Sequence, residues 1–461
     1  MSNFQLRPYQ SAIIDGLRAA FRKHKSVLAV APTGAGKTAL AINMIGSATS
    51  KGRRSFFICH RAEIIEQTAA AFRMEGIPFG YIAAGYSPTP SCPIQLCSID
   101  TLKNRLDKIQ PPDLLVWDEC HHGVSKGWTM VKDYYSKAHH VGLTATPERL
   151  DGKGLGTHFT SIVEGPTVKW LIDNGYLCDY KLYAAPRSPD LSDIHSKMGD
   201  YDKTELSELM DKPQITGDAI SHYGRLSQGK RAVVFAISIK HSEHIMEQFR
   251  YAGIPAEHID GTMDRQTRRG IISRFRSGQT LVVVNVGIIS EGFDLPDIES
   301  VILLRPTASL ALYLQMVGRS LRPMPNKPHA IILDHAGNAM RHGLPDDERV
   351  WTLEGKKRSK KDKNEVAIRQ CPQCFAVHHI APVCPECGFV YVRKSVEEIK
   401  TVDGELQEVD KEAMRRSRNR EQSSARTIDE LVALARRRGY RNIYAWSAYV
   451  WSARQAKKRG V

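Results

Sequence analysis

Apolar residues in this chain gather into short unbroken blocks separated by amphipathic stretches. Val27-Leu28-Ala29-Val30, Phe56-Phe57-Ile58-Cys59, Ile94-Gln95-Leu96-Cys97 and Leu114-Leu115-Val116-Trp117 are such blocks. Runs of this length, bounded by turn residues, are the mark of strands covered on both faces. Helical patterns such as Ala39-Leu40-Ala41-Ile42-Asn43-Met44-Ile45 lie between them. The alternation from Phe4 to about Tyr180 predicts a parallel sheet with helices on both faces. A polar stretch from Pro186 to Pro213 interrupts it. The pattern resumes at Ala232-Val233-Val234-Phe235-Ala236 and runs to Ala330-Ile331-Ile332-Leu333-Asp334, which predicts a second sheet of the same kind. From about Gly355 the run Lys356-Lys357-Arg358-Ser359-Lys360-Lys361 breaks all periodicity and reads as a solvated linker. Beyond Thr427, residues Ile428, Leu431, Val432, Leu434 and Ala435 recur at helical spacing, with Glu430 completing a capping box, so a small helical unit starts there. The expected division is 1–182 and 183–349 for the two sheets, 350–370 for a basic linker, 371–393 for a cysteine module and 394–461 for a basic helical tail.

The first block leads into Ala31-Pro32-Thr33-Gly34-Ala35-Gly36-Lys37-Thr38 and then the helical run, giving strand, glycine loop and helix in the order a phosphate loop requires. Gly34 and Gly36 free the backbone to turn N–H groups of Thr33 to Lys37 toward phosphates. Lys37 adds a mobile charge for the β and γ oxygens, and the Thr38 hydroxyl suits Mg²⁺. Ala31 stands where the general GxxxxGK[ST] pattern has its first glycine. The fourth block ends in Asp118-Glu119-Cys120-His121, an acidic pair at a strand end. Asp118 is positioned to hold the metal and Glu119 to orient or deprotonate an attacking water. Together these elements are the hardware for splitting a nucleoside triphosphate. Cys120 reads as a variable position, not a nucleophile.

Downstream, Gln315-Met316-Val317-Gly318-Arg319-Ser320-Leu321-Arg322 puts two arginines on one helical face. Alone they read as surface charge. Behind a phosphate loop they suit the charge that develops on a transferring phosphoryl group. The second sheet has no phosphate loop of its own, so its expected task is to present Arg319 and Arg322 across a cleft.

This ordered set resembles the superfamily 2 helicases of the DEAD/DEAH-like class, with motif II in a DECH variant. The resemblance covers roughly the first 340 residues and implies two tandem RecA-like lobes, an ATP-dependent motor and a nucleic-acid partner. It implies that Gln10, in Leu6-Arg7-Pro8-Tyr9-Gln10, reads the adenine, and that Thr144 and Thr146 couple nucleotide to nucleic acid. It further implies that Gly292 and Asp294 form motif V, and that Gln315, Arg319 and Arg322 belong to motif VI. Segments near His60-Arg61 to Gln67, Ser98 to Leu102 and Phe235 to Ser238 match, by position, the motifs that line the nucleic-acid face. Arg305-Pro306-Thr307, Tyr313-Leu314-Gln315 and Leu333-Asp334-His335-Ala336-Gly337-Asn338, followed by cysteine pairs, are similar to the bacterial RadD-like branch implicated in DNA repair. That branch favours DNA over RNA. An ATP-gated clamp or remodeller without strand separation, an RNA helicase and a restriction-type motor subunit remain as alternatives.

Cys371-Pro372-Gln373-Cys374 and Cys384-Pro385-Glu386-Cys387 are two CxxC pairs nine residues apart. Four soft ligands suit a tetrahedral, structural Zn²⁺. His378 and His379 lie in the spacer and read as polar hairpin residues. The remaining cysteines are scattered, as in a reducing compartment.

At 461 residues with 42% hydrophobic content, the chain can build two or three domain cores. Its net charge of +15 favours a polyanionic partner. Much of that excess lies in residues 413–461, with thirteen Lys and Arg against three acids. There, arginines interleave with Tyr440, Tyr444, Trp446, Tyr449 and Trp451, which suit either base stacking or the core of the helical unit. The tail is thus a candidate contact for nucleic acid or for a repair or replication protein. No window reaches the apolar length of a membrane span, so a cytoplasmic protein is expected.

Overall fold

The computed structural model describes residues 5–122, 126–148, 154–184, 189, 191, 194–197, 200–210, 213–288, 295, 297–354, 368–391, 420–438 and 443–458. The first lobe is a seven-stranded sheet in the order β3-β4-β2-β5-β6-β1-β7. Its strands are β1 (Ser26–Val30), β2 (Ser55–Cys59), β3 (Gly80–Ile82), β4 (Ile94–Ser98), β5 (Leu114–Asp118), β6 (His139–Thr144) and β7 (Ser161–Glu164). Every pairing is parallel. Along β1, Val27 and Ala29 enter one core cluster while Leu28 and Val30 enter the other. Successive side chains point to opposite faces, so a strand buried on both sides needs an unbroken apolar run. Helices α1 (Pro8–Phe21), α2 (Lys37–Thr49) and α3 (Ala62–Met74) supply Ile13, Leu40 and Ile65 to the first of these clusters.

The second lobe repeats the plan with six parallel strands in the order β10-β11-β9-β12-β13-β8. These are β8 (Asp179–Ala184), β9 (Ala232–Phe235), β10 (Ala256–Asp260), β11 (Val282–Val286), β12 (Ser300–Leu303) and β13 (His329–Asp334). Strand β8 pairs with β13 from Asp179–His329 onward, so the boundary expected at residue 182 falls inside a strand of the second sheet. Helices α4 (Arg265–Ser277) and α5 (Leu310–Gly318) belong to this lobe. Across the lobes, Arg61 donates to the Gly287 carbonyl at 3.0 Å, and α4 meets α3 through Arg268–Glu63 and Arg265–Glu66 pairs.

Two expectations about the region after 349 need correction. Residues 350–354 do not begin a free linker: Trp351 and Leu353 pack on the first-lobe core, and the Leu353 carbonyl accepts from Gly156 N–H at 2.7 Å. The cysteine module is not a detached unit either. Its hairpin, β14 (Ile368–Gln370) with β15 (Val377–His379), lies against the open edge of β8. Ala184 N–H donates to the Phe375 carbonyl, Gln370 Nε2 donates to the Ala184 carbonyl, and Lys181 pairs with Glu386. An edge strand carries unpaired backbone groups, and this hairpin covers them. Chain contacts accordingly group residues 1–392 as one compact unit and 393–461 as another.

In the second unit, α6 (Ile428–Arg437) and α7 (Ile443–Lys458) enclose Leu431 and Val450, with Trp446 and Trp451 packed partly buried against them. The Thr427 hydroxyl caps α6 by accepting from Glu430 N–H. Of the tail aromatics, the two tryptophans serve this core and Tyr444 is exposed, while Tyr440 lies outside the described residues.

Candidate active site

Strand β1 delivers the chain into the loop 31–36, and α2 begins at Lys37. Gly34 and Gly36 take φ of +89° and +82°, the left-handed region open to glycine. Ala31 has no such φ, and its N–H continues the ladder to the Thr144 carbonyl at 2.9 Å. A glycine at that position has no conformational advantage, which explains the departure from the general pattern. The glycines also permit close approach. A methyl group at Gly36 would meet Gln10 Nε2 at 2.4 Å, and one at Gly34 would meet Leu177 at 2.8 Å. Gln10 is buried, donating to the Ala35 carbonyl at 3.0 Å and accepting from Arg7 N–H at 2.9 Å. The residue expected to read the base is therefore fastened to the phosphate loop itself. Thr38 lies exposed in the first turn of α2, and Thr33 lies under Gly318 of the second lobe.

Asp118 ends β5, and Glu119 follows with φ +46°, a strained conformation for a side-chain-bearing residue that costs on the order of 1–3 kcal/mol. This turn points the Glu119 carboxylate at Lys37 Nζ, 3.4 Å away. Burial first, and the Glu119 charge second, push the Asp118 carboxyl up to about 7, with Lys37 opposing. Two enclosed carboxylates against one ammonium leave an excess of negative charge beside the loop. Together with the Thr38 hydroxyl, such a donor set fits a hard divalent cation such as Mg²⁺.

The second lobe enters this pocket through α5. Gln315 Nε2 reaches Glu119 Oε2 at 3.4 Å and His121 Nε2 at 3.3 Å. His121 Nδ1 lies 3.0 Å from Thr144 Oγ1, which donates its own proton to the Thr146 carbonyl at 2.7 Å. Because that hydroxyl proton is committed, Nδ1–H is the donor to Thr144, with Glu119 Oε2 also 3.4 Å from it. His121 thus links Gln315 of α5, the Asp118-Glu119 turn and the Thr144–Thr146 turn. The letters of the sequence hold no sign of this role for His121, since the chain of bonds joins segments far apart.

Gly318 packs directly on Thr33, where a methyl group would come within 2.7 Å. Arg319 closes α5 and is buried, and the Arg322 stem lies 3.8 Å from the position of a methyl group on Gly34. The Arg322 stem therefore lies on the side of the second lobe that faces the phosphate loop, and Arg319 directly follows the Gly318 that packs on Thr33. Gly292 and Asp294 lie outside the described residues.

In the hairpin, Cys371, Cys374, Cys384 and Cys387 bring their sulfurs within 4.8 Å of one another. Cys371–Cys387 and Cys374–Cys384 are separated by 3.6 and 3.7 Å. A tetrahedron of sulfurs about 2.3 Å from a central Zn²⁺ has edges of about 3.8 Å, so the four thiols match that ion. His378 turns to Tyr391 and to the His379 carbonyl and takes no place in the set.

Residues 3–149 match the family model described as "Type III restriction enzyme, res subunit", and residues 211–324 match "Helicase conserved C-terminal domain". A 51.5 kDa protein of a Lactococcus phage is 35% identical over 387 residues, covering 83% of this chain and 82% of its own. The Saccharomyces cerevisiae protein described as "Putative ATP-dependent helicase IRC3" is 29% identical over 358 residues, 72% of this chain; the chain spans 51% of that longer protein. Among solved structures, the ATP-dependent Type ISP restriction-modification enzyme LlaBIII bound to DNA shares the fold with a TM-score of 0.54 at 18% identity. That likeness covers 71% of this chain and 27% of the enzyme. Among the described residues, no helix is long and apolar enough to cross a membrane. With both helicase domains matched in order and a cleft lined from both lobes, the chain belongs to the superfamily 2 helicases and is an ATP hydrolase that works as a motor on nucleic acid.

Proposed function

We propose that this motor acts on DNA, in repair, recombination or replication, as the RadD-like branch does. The observation that carries the residue assignments is the entry of α5 into the first-lobe pocket, where Gln315 meets both Glu119 and His121. In this reading Thr33 to Thr38 cradle the ATP phosphates and Gln10 holds the loop beside the base. Lys37 exchanges its Glu119 partner for phosphate oxygens, and Thr38 and Asp118 hold the metal. When bound there, Mg²⁺ would supply charge neutralisation for the phosphates. Glu119 takes the proton of the attacking water, while Arg319 and Arg322 stabilise the charge that spreads over the transferring group. Gly292 and Asp294 are assigned to motif V by the family resemblance alone.

The DNA preference is supported by the likeness to LlaBIII, described as bound to DNA, and by the chain's +15 charge. Zn²⁺ on Cys371, Cys374, Cys384 and Cys387 would be structural, since four thiolates leave no open position for chemistry. The protein is assigned to the cytoplasm, where free thiols persist, and the domain limits proposed are those of the sequence, with the first boundary moved ahead of β8. ATPase rates with single-stranded, duplex and forked DNA and with RNA, measured in parallel, test the substrate. Equal or greater stimulation by RNA would overturn the DNA reading. Stimulation by DNA without unwinding of forked or duplex substrates would replace the helicase by the clamp or remodeller.

A further inference from the structure

The turn that follows α5 carries both arginines, and its backbone carbonyls need partners. Carbonyls in a turn beyond a helix end have no intrahelical donor, and a buried one must be satisfied elsewhere. Here Ser320, Leu321 and Arg322 present three consecutive carbonyls. Cys178 N–H donates to that of Leu321 at 2.9 Å. Those of Ser320 and Arg322 both accept from one group, the Lys327 ammonium, which also donates to the Ile298 carbonyl; the Arg322 and Ile298 bonds are 2.9 and 2.8 Å. Lys327 is only 7% exposed, and the loop 323–328 that carries it reverses at Asn326 with φ +62°.

We propose that Lys327 is a positioning residue for the hydrolytic site, fixing the backbone from which Arg319 and Arg322 reach the phosphate loop. An ammonium has three protons and no acceptor, and here it meets three carbonyls from two segments of the second lobe. Burying a cation is costly unless it is fully hydrogen-bonded, and an apolar side chain in its place would avoid that cost only by leaving three carbonyls without their donor. What the ammonium alone supplies is a fixed node joining Ile298, just ahead of β12, to the arginine turn. The turn's position matters because the Arg322 stem already lies against Gly34. A shift of about 1 Å in groups that contact a transferring phosphoryl can cost on the order of 10²-fold in rate. Burial also lowers the Lys327 pKa, opposed first by the neighbouring Cys178 thiol and then by the charges of Glu299 and Asp297.

This inference rests on the reading of Arg319 and Arg322 as the second lobe's contribution to hydrolysis. The test uses the full chain carrying Lys327→Met, Lys327→Arg, Arg322→Ala and the double variant Arg322→Ala/Lys327→Met, with folding checked by thermal melts and assays run well below each midpoint. Lys327→Met should lower kcat by roughly 10²-fold and move KM for ATP by less than about 3-fold. It should weaken binding of ADP with aluminium fluoride, a transition-state mimic, while leaving ADP affinity unchanged. In the double variant the loss should fall well short of the product of the two single losses, because much of the Lys327 effect passes through Arg322. Lys327→Arg keeps the charge but not three donors around one point, and should lose an intermediate amount. Should Lys327→Met fail to fold, Lys327→Arg carries the same split of kcat from KM. A folded Lys327 variant with kcat within about 3-fold of the parent, or losses that multiply in the double variant, overturns the proposal. If Arg322→Ala itself leaves hydrolysis intact, the assignment of the arginines fails instead.

Discussion

The two walls of the cleft are built by different means. The first-lobe wall is made of two contiguous segments at strand ends, 31–38 and 118–121, whose backbones leave β1 and β5 already aimed at the site. The second-lobe wall is made of side chains on α5 and the turn behind it, held by Lys327, by Cys178 and by Gly318 packing on Thr33. The first wall holds binding groups whatever the second does. The second contributes only when the lobes are docked, so it suits the transition state more than the ground state, and only such differential interactions raise kcat.

Substitutions on each side should separate these tasks. Lys37→Ala is expected to have the largest effect, reducing hydrolysis by roughly 10³-fold or more and weakening ATP binding as well, because it removes a charge-assisted phosphate interaction used throughout the cycle. Measured turnover near the parent rate would deny the phosphate loop its role. Arg322→Ala is expected to lose on the order of 10³-fold in turnover while ADP and ATP affinities change little. Equal weakening of ground-state binding would make Arg322 an ordinary ligand and erase the difference between the walls. Glu119→Gln, within the first wall, should cost about 10²–10⁴-fold in hydrolysis yet retain ATP and prolong the nucleic-acid-bound state. An ATP affinity as poor as that of Lys37→Ala would contradict the division of labour between the two residues.

The same contrast explains which parts of the molecule are legible in the sequence. The first wall can be read because its residues are neighbours in the chain and because a doubly buried strand writes itself as an apolar run. Arg319 and Arg322 can be read as a pair, but not the node that holds them: Lys327, between prolines, has the look of a solvated loop residue. His121 shows no role of its own within its motif, since its partners Thr144 and Gln315 come from other elements. The sequence boundary cuts β8 because Asp179-Tyr180-Lys181-Leu182-Tyr183-Ala184 continues the first lobe without a break, and its pairing with β13 closes over nearly the whole second lobe. The cysteine hairpin is recognisable as a candidate metal module but not as the cover of that strand, because four thiols suggest a ligand set and say nothing of the surface beneath.

The acidic pair also has a pH signature. Asp118 is raised to about 7 by burial first and by Glu119 second, so in the fold its proton is held more tightly than in the unfolded chain. Such a carboxyl opposes folding above its unfolded pKa, and the cost grows as pH rises toward the folded value. Glu119→Gln removes the second cause. Its stability relative to the parent should therefore rise between pH 5 and pH 8, by up to about 1.4 kcal/mol for each pKa unit relieved. Thermal or urea unfolding at the two pH values checks this, and a difference that stays flat would mean that Lys37 already neutralises the pair.

The smallest expected effect on hydrolysis comes from a cut after Val392. Every residue of both walls lies upstream, and the cut leaves the cysteine hairpin on β8, so basal turnover should stay within about 2-fold of the parent. Nucleic-acid affinity should fall, because thirteen Lys and Arg between residues 413 and 461 go with the tail. The logarithm of the binding constant should also decline less steeply with salt, by about 0.7–0.9 for each phosphate that the tail no longer neutralises. A cut after Glu354 makes the informative control, since it also strips the hairpin and bares the β8 edge. That chain should aggregate or melt earlier, as should the intact protein with Cys371→Ser and Cys374→Ser, which should not retain the one equivalent of zinc proposed for the four thiols. If the chain ending at Val392 binds DNA with unchanged affinity and salt slope, the tail's basic residues do not meet phosphate, and the helix pair α6–α7 is a docking element for a protein instead.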